Sequence, residues 1–184
     1  MKKRGVKKGS ARKGAAGGKK GKGRAQGTIA DPMAALLSLQ PAIDSGGVTL
    51  QPGRFDSDLW MLVDYPGGEL RTTYVALENG MAQCIVQFLG AEPVDNIPCL
   101  SIGYATMVSA QNRGLASSTV AKAIDDMRQG LAKHGIRRFY VEAIVSQSNE
   151  YSQKVAQRTL GPAVKSGVDH FSGEPIYQYL RLVS

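Results

Sequence analysis

Downstream of Ser117 the apolar positions Val120, Ile124, Met127 and Leu131 recur at spacings of 4, 3 and 4, one face of a helix. His134-Gly135 supplies its C-terminal stop. Apolar runs at 100–108 and 139–145 read as strands on either side. A second helix is expected over 149–160, closed by Gly161-Pro162, and short strands follow, the last at 176–182. Upstream, 72–77 and 82–88 flank Glu78-Asn79-Gly80, and Asn-Gly between two such runs is the strongest short hairpin signal. Asp31-Pro32 opens a short helix over 33–39, with Asp as cap, Pro at the first helical position, and Pro41 and Gly46-Gly47 as its end. A broken strand-like region spans 48–65 and closes at Pro66-Gly67-Gly68, while 90–98, polar with two prolines, reads as a loop. Trp60 and Tyr65 read as core packers. The order hairpin, strand, helix, strand, helix, strands describes a mixed α/β sheet with helices packed on it.

Composition sets the scale. A chain of 184 residues, 42% hydrophobic, holds one domain with a real core, and no apolar run approaches a membrane span. The net charge of +8 is unevenly placed. Eleven cations fall in the first 27 residues (Lys2, Lys3, Arg4, Lys7, Lys8, Arg12, Lys13, Lys19, Lys20, Lys22, Arg24) with eight glycines and no acid, and the remainder is mildly acidic. Residues 1–28 therefore read as a basic arm, disordered in isolation, and 29–184 as the domain. Cations without interleaved aromatics favour a nucleic acid or an acidic assembly, bound without sequence preference and weakened by salt; a solvated tail is the plainer alternative. Cys84 and Cys99 sit in apolar surroundings and, with only His134 and His170, make no metal site. They read as buried thiols of a reducing, cytoplasmic compartment; no apolar segment follows the basic start as export requires.

The chemistry lies in the turn Gln111-Asn112-Arg113-Gly114-Leu115-Ala116, between an apolar strand and an amphipathic helix. Such a turn presents backbone N–H groups, reinforced by the helix dipole, as a cradle for pyrophosphate, with Ser117 able to add a hydroxyl. It is neither a Walker loop nor a dinucleotide fingerprint, since it lacks Gly-Lys-Ser/Thr and two of three glycines. Gln111-x-x-Gly114-x-Ala116 resembles the acetyl-CoA signature of the GNAT N-acetyltransferases. Downstream, Glu142 followed by Asn149-Glu150-x-Ser152-x-x-Val155 resembles the branch of that family that acetylates protein N-termini, the ribosomal-protein type. The resemblance covers about 72–182.

That resemblance implies an α/β GNAT fold: a mostly antiparallel mixed sheet with splayed central strands and flanking helices. It implies acetyl-CoA as cofactor and an amine acceptor, protein or small molecule. Met107, Val108 and Ser109 would meet the pantetheine arm, and Gln111, Asn112, Arg113, Gly114, Leu115, Ala116 and Ser117 the pyrophosphate. Asn149 would bind near the pantetheine or serve only as a helix cap. Many members carry a tyrosine acid seven residues after that asparagine; here the position is Ala156, which leaves Ser152 as first choice for acid and Tyr151 behind it. Glu142 is the candidate base. The rival expectation is a non-catalytic GNAT-fold component of a virion or ribosome-associated assembly.

Overall fold

The computed structural model describes residues 31–169 and 172–184. The basic arm, with its expected disorder and polyanion contacts, and His170 lie outside the described residues. Asp31 caps α1 (Pro32–Asp44), its carboxylate accepting the Met33 N–H at 2.9 Å. The helix runs through Pro41, where a stop was expected. The missing N–H forgoes only a bond to the carbonyl of Leu37, and Leu37 is exposed, so water can serve that oxygen.

The strands that follow are β1 (Gln51–Pro52), β2 (Leu59–Asp64), β3 (Arg71–Glu78), β4 (Met81–Val94) and β5 (Ile97–Thr106). Then come α2 (Leu115–Lys133), β6 (Phe139–Ser146), α3 (Glu150–Leu160), β7 (Ala163–Val168) and β8 (Pro175–Val183). They form one sheet in the order β1-β2-β3-β4-β5-β6-β8-β7, antiparallel throughout except for β5 and β6. Asn79 and Gly80, with φ 51° and 78°, make the expected primed turn between β3 and β4. Residues 90–98 do not form the expected loop. Asp95 and Asn96, at φ 50° and 62°, make a second turn of the same kind, and an irregularity between Ala91 and Val94 absorbs Pro93.

Strand alternation divides the core between the two faces of the sheet. Val120, Ala123 and Ile124 of α2 and Ala156 and Leu160 of α3 pack on Tyr74, Val86, Phe88, Ile102 and Val141. Met127 and Leu131 extend the same stripe, partly buried. On the opposite face Leu36 and Leu39 of α1 cover Val75, Ile85 and Ala105. Full burial of each such leucine contributes about 2 kcal/mol. One helix does not cover this whole face, so Trp60, opposite Val75, is 36% exposed; Tyr65, past the end of β2, is 65% exposed, and neither packs in the core as expected. Cys84 and Cys99 are buried and unbridged. Asp126 ties α2 to the sheet: it accepts from the Tyr74 hydroxyl at 2.8 Å and from the N–H groups of Phe55 and Asp56 at 2.7 and 3.3 Å.

The single parallel pair shapes the site. β5 and β6 are in register only at Cys99, Leu100 and Ser101 opposite Tyr140, Val141 and Glu142. Beyond these, β5 stays bonded to β4 as far as Thr106, and β6 stays bonded to β8 as far as Ser146. Each strand follows its antiparallel partner, and the two part.

Candidate functional site

A cavity of about 580 Å³ fills the opening between the parted strands. Residues from both faces of the sheet line it. Its walls are β5 from Ile102 to Thr106 and β6 from Ala143 to Ser146. The N-terminal turns of α2 and α3 border it on one face, and Asp31, Pro32 and Met33 of α1 on the other.

The two bordering helices on the α2–α3 face begin differently. Asn149 caps α3, its side-chain oxygen accepting the Ser152 N–H at 3.0 Å. Gly114 precedes α2 at φ +76° with no side chain to cap it, and Asn112 is also left-handed. A β-carbon on Gly114 would meet nothing within 4 Å, so the glycine serves the backbone angle and not clearance. The first intrahelical bond is Ser118 N–H to the Gly114 carbonyl. The N–H groups of Leu115, Ala116 and Ser117 thus find no protein acceptor among the described residues. No acid stands in that first turn. Three bare donors at the positive end of a 19-residue helix make an anion receptor.

Lys154 and Arg158, one turn apart on α3, line the same cavity, and neither forms a salt bridge among the described residues. Lys154 lies 5.6 Å over the Tyr151 ring. Reading the residues singly missed both cations; their spacing of four on the helix that follows the second motif was the available signal. Tyr104 was missed too. It reaches from β5 across the parting and donates its hydroxyl to the Ser152 carbonyl at 2.6 Å. Burial, with Tyr179 as a lesser cause, pushes the phenol's pKa well above its usual range, while hydrogen bonds with the Ala156 backbone and the Ser152 side chain oppose the shift. The phenol stays protonated and acts as a fixed donor. It also occupies the space beside Ala156, which is fully buried.

The structure brings together at this cavity Gln111, Asn112, Gly114, Leu115, Ala116, Ser117, Asn149, Tyr151 and Ser152. Five other candidates do not line it. Met107, Val108 and Ser109 lie past the end of β5, where the chain leaves the sheet in a single 3-10 turn; the Met107 N–H is taken by the Gln83 carbonyl at 2.8 Å, and Val108 is exposed. The stretch of β5 that lines the cavity, Ile102 to Thr106, ends just before these three residues. Arg113 is paired with Glu78 through two hydrogen bonds of 2.9 and 2.7 Å. Glu142 stands at the last paired position before the parting, buried, and accepts from Gln178 Nε2 at 2.9 Å. Among the described residues no three potential metal ligands cluster, and no described helix is long and apolar enough to cross a membrane.

No protein-family model and no curated protein matches the sequence. Among solved structures, an acetyltransferase of the GNAT family from Streptococcus pneumoniae superposes with a TM-score of 0.51 at 18% identity, over 84% of this chain and 96% of its own. An acetyltransferase from Salmonella typhimurium that modifies the N-terminal serine of ribosomal protein L7/L12 gives 0.46 at 20% identity, over 62% and 64%. A mutant form of the spermidine/spermine N-acetyltransferase SpeG from Vibrio cholerae gives 0.48 at 13% identity, over 61% and 66%. This chain spans less than two thirds of the length of these last two. The first match shows the fold, that of the GNAT acetyltransferases.

Proposed function

We propose that this GNAT-fold chain is an acetyl-CoA-dependent N-acetyltransferase acting on an amine, a protein N-terminus or lysine among them. One observation carries the reading: the bare N-terminus of α2 borders a cavity that lies where β5 and β6 part. The residues fit a pyrophosphate with an extended thioester arm. When bound, acetyl-CoA supplies an acetyl group activated as a thioester. Leu115, Ala116 and Ser117 would hold its pyrophosphate through their N–H groups, with Lys154 and Arg158 balancing the charge. The edge of β5 from Gly103 to Thr106, no longer bonded to β6, offers backbone groups to an extended ligand. Ser152 holds a hydroxyl proton at the cavity wall, and Tyr104 fixes the turn that carries it. Glu142, outside the lining, would take an ammonium proton through an intervening water.

The eleven cations of residues 1–27 complete the proposal as a tether to a polyanionic assembly, nucleic acid above all. The two buried, unbridged thiols support a reducing compartment such as the cytoplasm.

A second reading, a non-catalytic component of a virion or ribosome-associated assembly, is favoured by two features. Glu142 is buried outside the cavity lining and hydrogen-bonded to Gln178, and Ala156 stands where many GNAT enzymes carry an acidic tyrosine.

Calorimetric titration with acetyl-CoA tests the cofactor site, comparing the wild type with Ser117→Glu. A carboxylate at that position suits the start of a helix but repels a bound anion. Binding that weakens about tenfold or more in a variant of undiminished stability supports the site. A folded wild type that binds no acetyl-CoA overturns the enzymatic reading, and binding without turnover on any amine favours the second.

A further inference from the structure

The far end of α2 carries a second concentration of positive charge. From Met127 to Val141 the chain holds Arg128, Lys133, Arg137 and Arg138 and no acid, although residues 28–184 as a whole are mildly acidic. Arg128 is committed to Asp125 at 2.8 Å. Lys133, Arg137 and Arg138 are exposed and form no salt bridge among the described residues, and the same holds for Arg54. The fold gathers these four at one end of the domain. α2 stops at His134, and the Ile136 N–H turns back to the Leu131 carbonyl at 3.1 Å, so Arg137 and Arg138 follow directly on the last helical turn. Ile136 packs against the core and Phe139 is fully buried, which fixes the short segment between them. Lys133 Nζ lies 4.6 Å over the ring of Phe55, the residue after Arg54. The acids of that segment are already taken, since Asp56 and Asp58 pair with Lys122. A helix C-terminus accounts for part of this charge only: its dipole is equivalent to about half an elementary charge and acts within the last turn. Lys133 meets it, whereas Arg137 and Arg138 lie beyond Gly135 and Arg54 belongs to another segment. This end is also remote from the anion receptor, because the 19 residues of α2 span about 28 Å. That is well beyond the screening length of about 10 Å at about 0.1 M salt.

We propose that Arg54, Lys133, Arg137 and Arg138 form a nucleic-acid contact on the domain itself, distinct from the basic arm, that takes the phosphate backbone. The contact does not depend on acetyl transfer. Its chemistry favours phosphate over an acidic protein surface. Guanidinium groups meet phosphate oxygens at two points, and neither segment carries an exposed large apolar side chain to form the dry centre of a protein interface. Exposed contacts of this kind contribute only a few-fold each, too little for four of them to retain a duplex at physiological salt. Joined to the eleven cations of residues 1–27, they act within one molecule, at an effective concentration in the millimolar range. The arm captures the polymer and the patch orients the domain on it. A polymer lying on this end leaves the cavity, at the other end of α2, clear.

The test uses the full-length chain: wild type, the double variant Arg137→Gln with Arg138→Gln, the double variant Arg137→Lys with Arg138→Lys, and Lys165→Gln on β7 as an exposed control. Each is titrated by fluorescence anisotropy with a labelled DNA duplex of about 20 base pairs across a salt series. The glutamine pair should weaken the duplex about tenfold at low salt and lower the steepness of log affinity against log salt by about 1.8, two counterions' worth. The lysine pair should keep the wild-type slope, because the slope counts charges; a merely structural role for the arginines would not predict that rescue. Lys165→Gln should leave the slope unchanged, and saturating acetyl-CoA should leave duplex affinity within about twofold, given the separation of the two ends. An unchanged slope in the glutamine pair, or an equal drop per charge in Lys165→Gln, overturns the contact. Displacement of the duplex by acetyl-CoA overturns it as well, since the polymer would then sit at the N-terminus of α2. So does polyglutamate that binds with the same dependence on Arg137 and Arg138 as the duplex, which would make this end a site for acidic protein.

Discussion

Tyr104 and Ser152 meet across the parted strands: the phenol on β5 donates to the Ser152 carbonyl on α3 at 2.6 Å. This bond spans the opening that the sheet leaves between β5 and β6, so the wall carrying Asn149 and Ser152 is held in place from the opposite strand. Ser152 N–H is meanwhile bound by the Asn149 side chain, and the first turn of α3 is pinned at both ends of one residue.

Tyr104→Phe should therefore act on placement. Loss of one buried hydrogen bond costs about 1 kcal/mol of stability in denaturant unfolding. Under the proposed function kcat should fall while the KM for acetyl-CoA stays within about twofold, because the anion receptor on α2 is untouched. A KM effect with unchanged kcat would contradict this role.

Asn149 separates capping from cofactor contact. Asn149→Ala should lose about 1 kcal/mol through the missing cap, and Asn149→Asp should retain that stability. The aspartate nevertheless adds a negative charge at the cavity wall, so acetyl-CoA binding should weaken more in Asn149→Asp than in Asn149→Ala. Calorimetry on the two variants gives the order directly.

Glu78 engages Arg113, which immediately precedes the proposed phosphate cradle, in a two-point hydrogen-bonded pair, and the same contact raises the arginine's pKa. Glu78→Gln should loosen Arg113 and tighten acetyl-CoA about twofold to threefold at low ionic strength. Titration at two salt concentrations checks it; identical affinities would show that Arg113 cannot reach the anion.

Asp126 and Tyr74 govern stability far from the chemistry. Asp126→Asn turns an amide N–H₂ towards groups that already donate, and should cost roughly 3 kcal/mol. Burial first, then the Asp126 hydrogen bond, raises the Tyr74 pKa far above its usual value. Tyr104 is shifted the same way, mainly by burial. Because these phenols ionise more readily in the unfolded chain, their contribution is complete below about pH 10 and declines as pH rises from there towards the folded values. Urea midpoints between pH 8 and 11 should fall, and less steeply in Tyr74→Phe.

Deletion of residues 2–27 should remove retention on a polyanion such as heparin or duplex DNA and leave acetyl-CoA affinity unchanged. For the intact chain the logarithm of nucleic-acid affinity should fall linearly with the logarithm of salt. Salt-independent binding would exclude the arm as tether.

What could be read along the chain was local in origin. Asn79-Gly80 makes its primed turn because those residues tolerate left-handed backbone; Val120 and Ile124 fall on one helical face; Asn149 caps; Gly114 supplies the angle at which α2 begins. Each depends on neighbours a few residues away, so spacing and residue type determined it. Other features depend on partners distant in sequence. Pro41 passes inside α1 because the carbonyl it leaves unpaired is near solvent. The parting after Ser101 and Glu142 arises because β4 and β8 pull the two strands in different directions, a competition among hydrogen-bond ladders that no short window contains. The same geometry buries Glu142 one position short of the opening, carries Tyr104 to Ser152, and brings Asp31 and Arg158 to a single cavity. Residue types and turns came from the chain alone; which side chains share the opening was decided by the tertiary fold, because only the packed sheet sets each strand's face and extent.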